Sequence, residues 1–505
     1  MPVRERSEGI KNEKTVCFFT CGNSALPGFS GCADKETGDE VVPDVTDLEG
    51  YDAYGQEMNT DYRLFWKPSE TDGYVGDPMP YYENGVYSIF YLKDEGGSLR
   101  HSVYRVDTTD FIHYTDKGET LRSGFITQQD YWIGTGSVVK AENDYYFFYT
   151  GHNPNLEIWE KVMVAKSEGN MENFVKIAGF EIAPPAEYSQ VDFRDPQVYY
   201  DAERKVFDMT VETNAKGAPL IVKYTVSLDL QTVTHEGVMF TDTENGFWNL
   251  ECADITEQNG KYFLTYSGQP EDTVWYAVSD EKFSGYGKPQ RLEGKHFYAP
   301  KVVEGDKGTF LVGWVYRRAG FSDDSDLYWG GHLVAHKMQF NEDDSVTLLP
   351  VDGLDAYFGY ENELLCAPSV RFSGKQRNKL ANGAESYMIT GSFAFEGSER
   401  FGFVLGYDDE YNRYLSYDPE KQTFAFSLRS NTVSECEIKT ELEAGKKYDF
   451  VYIQEGSVGV FYILNECALS FRIHGINNKQ IGLFSDGSTV SFENLSQYLR
   501  SKAVK

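Results

Sequence analysis

The chain has 505 residues, of which 47 are Lys or Arg and 79 are Asp or Glu, so its formal net charge is −32 at pH 7. This length exceeds one ordinary hydrophobic core, and two domains are expected. The acidic charge disfavours binding to nucleic acid and to anionic membrane surfaces, whereas neutral substrates such as sugars are unaffected by it.

The amino-terminal region is polar and glycine-rich. It begins MPVRERSEGIKNEK and contains no apolar run typical of a signal peptide. Nowhere do about 18 apolar residues follow one another, so no membrane-spanning helix is predicted. These features predict a cytoplasmic location, with secretion after removal of a leader as the alternative. Residues 1–60 are interpreted as an extension of unassigned role, which could cover a binding pocket or form the contacts of a homodimer.

The seven cysteines are scattered and odd in number, which argues against a disulfide framework. Cys17, Cys21 and Cys32 lie close together, but no His or fourth Cys follows at metal-ligand spacing, so we interpret them as ordinary thiols. The sequence also has no glycine-rich phosphate loop, no HExxH and no paired CxxC. We therefore predict no metal and no cofactor.

Short runs rich in Tyr, Phe, Val and Ile recur between turn residues. In chain order they are GVYSIFYL, DYYFFYT, KVFDMTVE, KYFLTYS and TFLVGWVY. Runs of this length, separated by Gly, Asn and Asp, indicate an all-β protein. A turn followed by an aromatic strand recurs on the order of every fifty residues, which is consistent with propeller blades and also with any large all-β protein built from hairpins.

The pattern changes near Leu364. From there the segments ESYMITGSFAFE, FGFVLGYDD, TFAFSLRS, KYDFVYIQEG, GVFYILN and CALSFRIHG are strands at close and even spacing. They predict a second all-β unit over residues 364–505, most simply a β-sandwich. Residues 61–357 would then form the first unit.

Three carboxylate motifs stand out in the first unit. They are Gly76-Asp77-Pro78, Arg194-Asp195-Pro196 and Glu251-Cys252-Ala253-Asp254. Each lies at or near the start of a β-rich block, so in a propeller all three could converge on the central channel. Cleavage of a glycosidic bond needs such a set, with one carboxylate to attack and one acid to protonate the leaving oxygen. An Asp before Pro is also commonly only a turn residue.

The order and surroundings of these motifs resemble glycoside hydrolase family 32, the invertase, inulinase and levanase group. The family motif Trp-Met-Asn-Asp-Pro-Asn-Gly is similar to Val75–Pro80, Arg-Asp-Pro is intact at 194–196, and Glu-Cys-Pro-Asp is similar to 251–254. The resemblance extends to Gly134-Thr135-Gly136-Ser137, Phe297-Tyr298-Ala299 and Gly313-Trp314. It covers the chain from about Leu64 to Leu499.

The resemblance implies a five-bladed β-propeller that carries the site, followed by a β-sandwich. It implies a retaining mechanism, in which Asp77 attacks the anomeric carbon and Glu251 serves as general acid and then as base. Asp195 would hold sugar hydroxyls, and Arg194 beside it would help to keep carboxylates ionised. Cys252 is interpreted as a packing residue near the acid.

The sequence also departs from the family pattern. Gly76 stands where the family has an Asn that contacts the sugar, Leu92 stands where it usually has a Gln, and Arg100-His101-Ser102 replaces a Trp-Gly block. These departures predict an altered substrate pocket. Thr135 is a candidate to face the fructose, and Tyr74, Trp132 and Tyr298 are candidate stacking residues, although aromatic residues are more often part of the core.

Three functions remain open from the sequence. The first is a β-fructofuranosidase-like hydrolase that releases fructose from sucrose, fructooligosaccharides, fructan or an unusual fructoside, with transfer to another sugar as a variant of the same reaction. The second is an inverting arabinosidase or xylosidase of the family 43 kind. The third is a non-catalytic sugar-binding propeller, which the missing Asn and Gln residues motivate.

Overall fold

The structure is a computed structural model that describes residues 62–68, 73–95, 100–362, 364, 368–428 and 433–500. The amino-terminal extension predicted for residues 1–60, with its three cysteines, lies outside the described residues. Within the described part of the chain, no helix combines the length and the apolar character needed to cross a membrane.

The first twenty strands form five consecutive groups of four antiparallel strands. The groups are β1 (Gly73–Glu83), β2 (Val86–Glu95), β3 (Val103–Thr108) and β4 (Tyr114–Leu121); β5 (Trp132–Ala141), β6 (Asp144–His152), β7 (Glu160–Glu168) and β8 (Val175–Ile182); β9 (Phe193–Asp201), β10 (Val206–Ala215), β11 (Ala218–Ser227) and β12 (Val233–Phe240); β13 (Asn249–Gln258), β14 (Lys261–Gln269), β15 (Thr273–Ser279) and β16 (Gln290–Glu293); β17 (Phe297–Gly305), β18 (Gly308–Arg318), β19 (Leu327–Phe340) and β20 (Val346–Leu349).

These groups close into a ring. The first strand of each group contacts the first strand of the next, and β17 contacts β1 in turn. The ring is closed by pairing between β19 and β1, at Gly331 and Val75. The result is a five-bladed propeller in which β1, β5, β9, β13 and β17 lie innermost, and the predicted fold class is confirmed.

The remaining strands form two packed sheets. After the short helix α1 (Leu354–Tyr357) they are β21 (Tyr360–Asn362), β22 (Val370–Ser373), β23 (Gln376–Asn382), β24 (Ser386–Glu396), β25 (Phe401–Leu405), β26 (Arg413–Asp418), β27 (Thr423–Leu428), β28 (Ser434–Lys439), β29 (Tyr448–Glu455), β30 (Val458–Ile463), β31 (Cys467–Arg472), β32 (Gln480–Ser485) and β33 (Thr489–Leu499). One sheet has the order β21-β33-β24-β29-β30-β31, with β22 also on β33, and the other has the order β23-β32-β25-β26-β27-β28. Their facing side chains, among them Phe403, Phe450 and Phe461, form one aromatic core, as expected of a β-sandwich.

The sandwich supports the propeller through buried polar contacts. Arg472 on β31 is 1% exposed, and its guanidinium donates to the backbone oxygens of Val315 at 2.9 Å and Tyr316 at 2.7 Å. A buried guanidinium is tolerated only when its donors find acceptors, and these carbonyls at the end of β18 provide them. The sandwich therefore helps to hold a propeller strand that ends at the central cavity.

Candidate active site

A cavity of about 430 Å³ lies where the amino-terminal ends of the inner strands meet. It is lined by seven of the eight residues predicted from the sequence: Asp77, Trp132, Thr135, Arg194, Asp195, Glu251 and Tyr298. The propeller thus brings together motifs that are up to about two hundred residues apart in sequence, as closure of a ring of blades allows. Among the described residues, no cluster of His, Cys, Asp and Glu is arranged to hold a metal ion.

The inner strands share a backbone irregularity at the cavity. The pairing register shifts after Gly76, Gly134, Glu251 and Tyr298 on four of them, and opposite Asp195 on the fifth. Left-handed backbone accompanies four of these shifts, with φ of 41° at Asp77, 56° at Asp195, 56° at Cys252 and 46° at Ala299. A β-bulge redirects side chains, and non-glycine residues with positive φ persist only where the surrounding structure holds them. The motifs are therefore bulges that turn carboxylates into the cavity.

Asp77 is held through both of its carboxylate oxygens. Thr135 donates to Oδ2 at 2.8 Å, and the indole nitrogen of Trp314 donates to Oδ1 at 3.1 Å. Burial raises the pKa of Asp77 to about 6, and the nearby Asp195 adds to the increase while the two hydrogen bonds oppose it. Its carboxylate is therefore fixed in orientation and still ionised near neutral pH.

Glu251 has a different environment. Its Oε2 accepts hydrogen bonds from the hydroxyl of Tyr298 at 2.5 Å and from Nε2 of Gln269 at 2.8 Å. Its Oε1 lies 3.6 Å from Nε of Arg194. Burial raises the pKa of Glu251 to about 7; Arg194 opposes this increase, and Asp195 adds to it. Of the two groups, Glu251 is the one that holds its proton at higher pH.

The bulge that follows Glu251 fixes the orientation of Asp195 through a backbone hydrogen bond. Its Oδ2 accepts the backbone N–H of Cys252 at 3.0 Å, and its own N–H donates to Thr150 at 2.9 Å. Cys252 is 1% exposed, and burial raises the pKa of its thiol well above the usual range. The thiol therefore packs beside Asp195 as a neutral group.

Arg194 is the cation of the cavity wall. Its guanidinium donates to Glu160 at 3.0 Å and to Asp192 at 2.5 Å. Glu160 in turn bonds the ring of His152 at 2.9 Å, and that ring is stacked on Trp132 with centroids 4.8 Å apart and planes 5° apart. The guanidinium is thus anchored on one side by carboxylates and faces Glu251 on the other.

Comparison with known proteins identifies the family. The family model described as the glycosyl hydrolases family 32 N-terminal domain matches residues 69–345. That match covers more than half of the chain and contains every carboxylate described above. The chain belongs to glycosyl hydrolase family 32.

Individual relatives of this family 32 chain are distant. It is 26% identical over 269 residues to a sucrose-6-phosphate hydrolase from Vibrio alginolyticus, an alignment that covers 48% of this chain and 54% of that protein, about half its length. It is 23% identical over 492 residues to a levanbiose-producing levanase from Bacillus subtilis (strain 168), covering 87% of this chain and 91% of that protein. The structure of exo-inulinase from Aspergillus awamori superposes with a TM-score of 0.70 at 15% identity, covering 89% of this chain and 99% of that one, and so shares the fold.

One wall of the cavity contains the positions at which the sequence departs from the family 32 motif. A Cβ atom at Gly76 would overlap the ring of Trp329, so this glycine is required by the close approach of the indole. Trp329 stacks on His101 with ring centroids 4.3 Å apart, and Leu92 lines the same cavity. At the positions where the motif predicts an Asn and a Gln, the chain therefore has Gly76 beneath the Trp329 ring and Leu92 in the cavity wall.

Tyr74 is not brought into this cavity. Its ring lies under the guanidinium of Arg317, at 4.8 Å, and contacts His332 edge-on. It is 6% exposed and belongs to the packing between β1 and β19. Tyr74 is therefore a packing residue, which was the alternative to a role in stacking on the sugar.

Sequence reasoning missed several residues that build the site. Trp314, Gln269 and Glu160 each bond directly to a catalytic candidate or to Arg194, and Trp329 forms a wall. The Gly313-Trp314 block was recognised only as part of the resemblance. The others carry no local signal, because a Gln or a Glu at the end of a strand is ordinary until the fold brings it beside a carboxylate.

Proposed function

We propose that this family 32 member hydrolyses neutral β-fructosides with retention of configuration, using Asp77 as nucleophile and Glu251 as general acid and base. One observation carries the proposal: two buried carboxyls line one cavity, and burial raises the pKa of one more than that of the other. Both carboxyls accept hydrogen bonds, but the pKa of Asp77 is raised to about 6 and that of Glu251 to about 7, so Glu251 holds its proton at the higher pH. Such a divided pair is the arrangement that glycosidic cleavage by double displacement needs.

In the proposed reaction, Asp77 attacks the anomeric carbon of fructose while Glu251 protonates the departing oxygen. The bond between the anomeric carbon and the leaving group breaks, and a covalent fructosyl ester forms on Asp77. Glu251, now ionised, removes a proton from a water molecule that attacks the same carbon and releases the ester. Two displacements at one centre preserve its configuration.

Asp195 and Arg194 support this chemistry electrostatically. Asp195 presents a fixed carboxylate to the sugar, as its bond with the N–H of Cys252 supports. Charge at the anomeric carbon becomes positive in the transition state, so a preorganised anion stabilises it. Arg194 favours the ionised form of Glu251, which the second half of the reaction requires.

The charge of the cavity supports a neutral substrate. Its lining includes the acids Asp77, Glu160, Asp195, Glu251 and Asp272, against one guanidinium, that of Arg194. An acidic pocket repels a phosphorylated sugar, and the Arg194 guanidinium is already bonded to Glu160 and Asp192. We therefore propose that the substrates are unphosphorylated fructosides, and not the sucrose 6-phosphate that the name of the Vibrio relative gives.

The test is sugar release from sucrose, sucrose 6-phosphate, kestose, inulin, levan, difructose anhydrides and an aryl arabinoside. Wild type is compared with Asp77→Asn, Glu251→Gln and the control Asp116→Asn, an exposed carboxylate on β4. Fructose release that both site variants abolish and the control retains is expected. Arabinose release from an aryl arabinoside with no fructose release would contradict the proposal.

Stereochemistry tests the mechanism separately. With methanol as acceptor, a retaining enzyme transfers fructose to give the methyl β-fructofuranoside. Formation of the α-product, or activity that persists in Asp77→Asn, would refute the assignment of Asp77 as nucleophile.

A further inference from the structure

A third buried carboxyl, Glu212 on β10, lies directly behind the cavity. It is 1% exposed and pairs in register with Arg194 on the neighbouring strand. Its Oε1 accepts the backbone N–H of Ala253 at 2.6 Å. No sequence motif singled out this residue, and it does not line the cavity.

Glu212 and Asp195 act on consecutive peptide groups. Asp195 accepts the N–H of Cys252 at 3.0 Å, and Glu212 accepts the N–H of Ala253, the next residue. These two N–H groups belong to the bulge that follows Glu251, where Cys252 has a φ of 56°. Two carboxyls side by side therefore hold the backbone that directs Glu251 into the cavity.

The second oxygen of Glu212, Oε2, is buried without an N–H or O–H donor among the described residues. The carboxyl of Asp195 lies close enough to Glu212 for its negative charge to raise the pKa of Glu212. Two ionised carboxylates only accept, so a hydrogen bond between them requires that one carries a proton. Asp195 accepts both the N–H and the thiol of Cys252 and lines the cavity, whereas Glu212 accepts one N–H and does not line it, so the proton is assigned to Glu212.

We propose that Glu212 is a positioning residue that stays protonated at neutral pH and donates its proton in a hydrogen bond to Asp195. The charged and titratable groups beside it include Asp195 and its strand partner Arg194 from β9, and Glu251 and Cys252 from β13. The neutral carboxyl fixes Asp195 without cancelling its charge, and it holds the bulge next to Glu251. This inference rests on the proposed function, in which both of those groups act on the substrate.

Electrostatics agree with the geometry. Burial, together with the negative charges of Asp195 and Glu251, raises the pKa of Glu212 well above its usual range. The single backbone N–H that bonds to it opposes this increase and is too little to offset loss of hydration. Like charges at one buried site cannot all ionise, so one member of the set retains its proton.

Two substitutions separate the effect of the proton on Glu212 from the effect of the shape of its side chain. Glu212→Gln is neutral, accepts the N–H of Ala253 and donates to Asp195, so it reproduces the proposed state. Glu212→Leu keeps a comparable volume and removes both bonds. Glu203→Gln, an exposed carboxyl at the turn between β9 and β10, is the control.

The first measurement needs no substrate. In protein labelled with carbon-13 at the glutamate carboxyl, NMR at pH 7 is expected to show a protonated carboxyl signal that is present in wild type and in Glu203→Gln and absent in Glu212→Gln. If Glu212→Gln removes only an ionised signal, the proposal is overturned. This NMR measurement remains informative even if the wild type releases no fructose. Absence of fructose release would overturn the proposed function and not the protonation of Glu212.

The second measurement is the pH dependence of kcat/KM. For Glu212→Gln we expect both limbs of the profile at the wild-type positions, because no charge is removed. A basic limb displaced to lower pH would show that Glu212 is ionised and would overturn the proposal. For Glu212→Leu we expect kcat to fall roughly 10- to 100-fold, the factor for a lost hydrogen bond to a charged group, with KM changing less. An unchanged kcat in Glu212→Leu would also overturn it.

Discussion

The hydroxyl of Tyr298 offers a direct test of how Glu251 is tuned. It donates to Oε2 of Glu251 at 2.5 Å, and Gln269 donates to the same oxygen at 2.8 Å. A hydrogen bond to a carboxylate favours the ionised form and lowers the pKa. Tyr298→Phe removes the hydroxyl and keeps the ring, so we expect the pKa of Glu251 to rise further above its usual value.

The size of this change follows from the difference between the two forms. A hydrogen bond to a charged group stabilises by about 1.5–3 kcal/mol and one to a neutral group by about 0.5–1.5 kcal/mol. The net loss for the ionised form is therefore about 1–1.5 kcal/mol, and 1.36 kcal/mol corresponds to one pK unit. Since Glu251 must be protonated to act as the acid, the basic limb of the kcat/KM profile should move upward by about one pH unit.

The assay is the pH dependence of kcat/KM for fructose release in wild type and Tyr298→Phe. Tyr316→Phe is the matched control, because Tyr316 also lines the cavity and lies near Asp272, whereas Tyr298 is the tyrosine that donates to Glu251. A basic limb that stays in place or moves to lower pH in Tyr298→Phe would refute the reasoning. An equal upward shift in the control would show that the effect is not specific to the bond with Glu251.

Three further predictions concern packing and the support of the cavity. Gly76→Ala places a methyl group inside the ring of Trp329, so it should destabilise the protein by about 1–3 kcal/mol and raise KM. Adding Trp329→Ala should relieve part of the stability loss. Strictly additive changes in unfolding free energy for the two substitutions would contradict the clash. Arg472→Met removes the guanidinium that donates to the buried carbonyls of Val315 and Tyr316 on β18. We expect the unfolding free energy to fall by about 1–3 kcal/mol and the urea midpoint to fall with it; an unchanged midpoint would refute the role of this contact. Glu293, buried against the sandwich, has a pKa raised by burial from 4.5 to about 8, so the folded protein keeps a proton that the unfolded chain loses. The stability of the wild type should therefore fall relative to Glu293→Gln as pH rises through this window. A difference in melting temperature between the two proteins that stays constant from pH 5 to pH 8 would contradict this prediction.

Much of the architecture could be predicted from the sequence, because the signals for strands and turns are local. Aromatic and β-branched runs bounded by Asn, Asp and Gly favour strands wherever they occur. Their recurrence was consistent with blades and with other hairpin-built folds, and the resemblance to family 32 implied the five-bladed propeller. The cavity-facing carboxylates could be found for a similar reason. Asp77, Asp195 and Glu251 are part of short motifs, in which the neighbouring residues build the bulge that turns each side chain inward.

The surroundings of those carboxylates were decided by tertiary structure. Trp314 bonds Asp77 across 237 residues of sequence, and Glu212 reaches the bulge after Glu251 from another blade. Closure of the ring determines which residues meet there, and local propensity extends over only a few residues. Tyr74 shows the same limit, since its aromatic character suited both a sugar pocket and the core. Only the packing of β1 against β19 assigned it to the core.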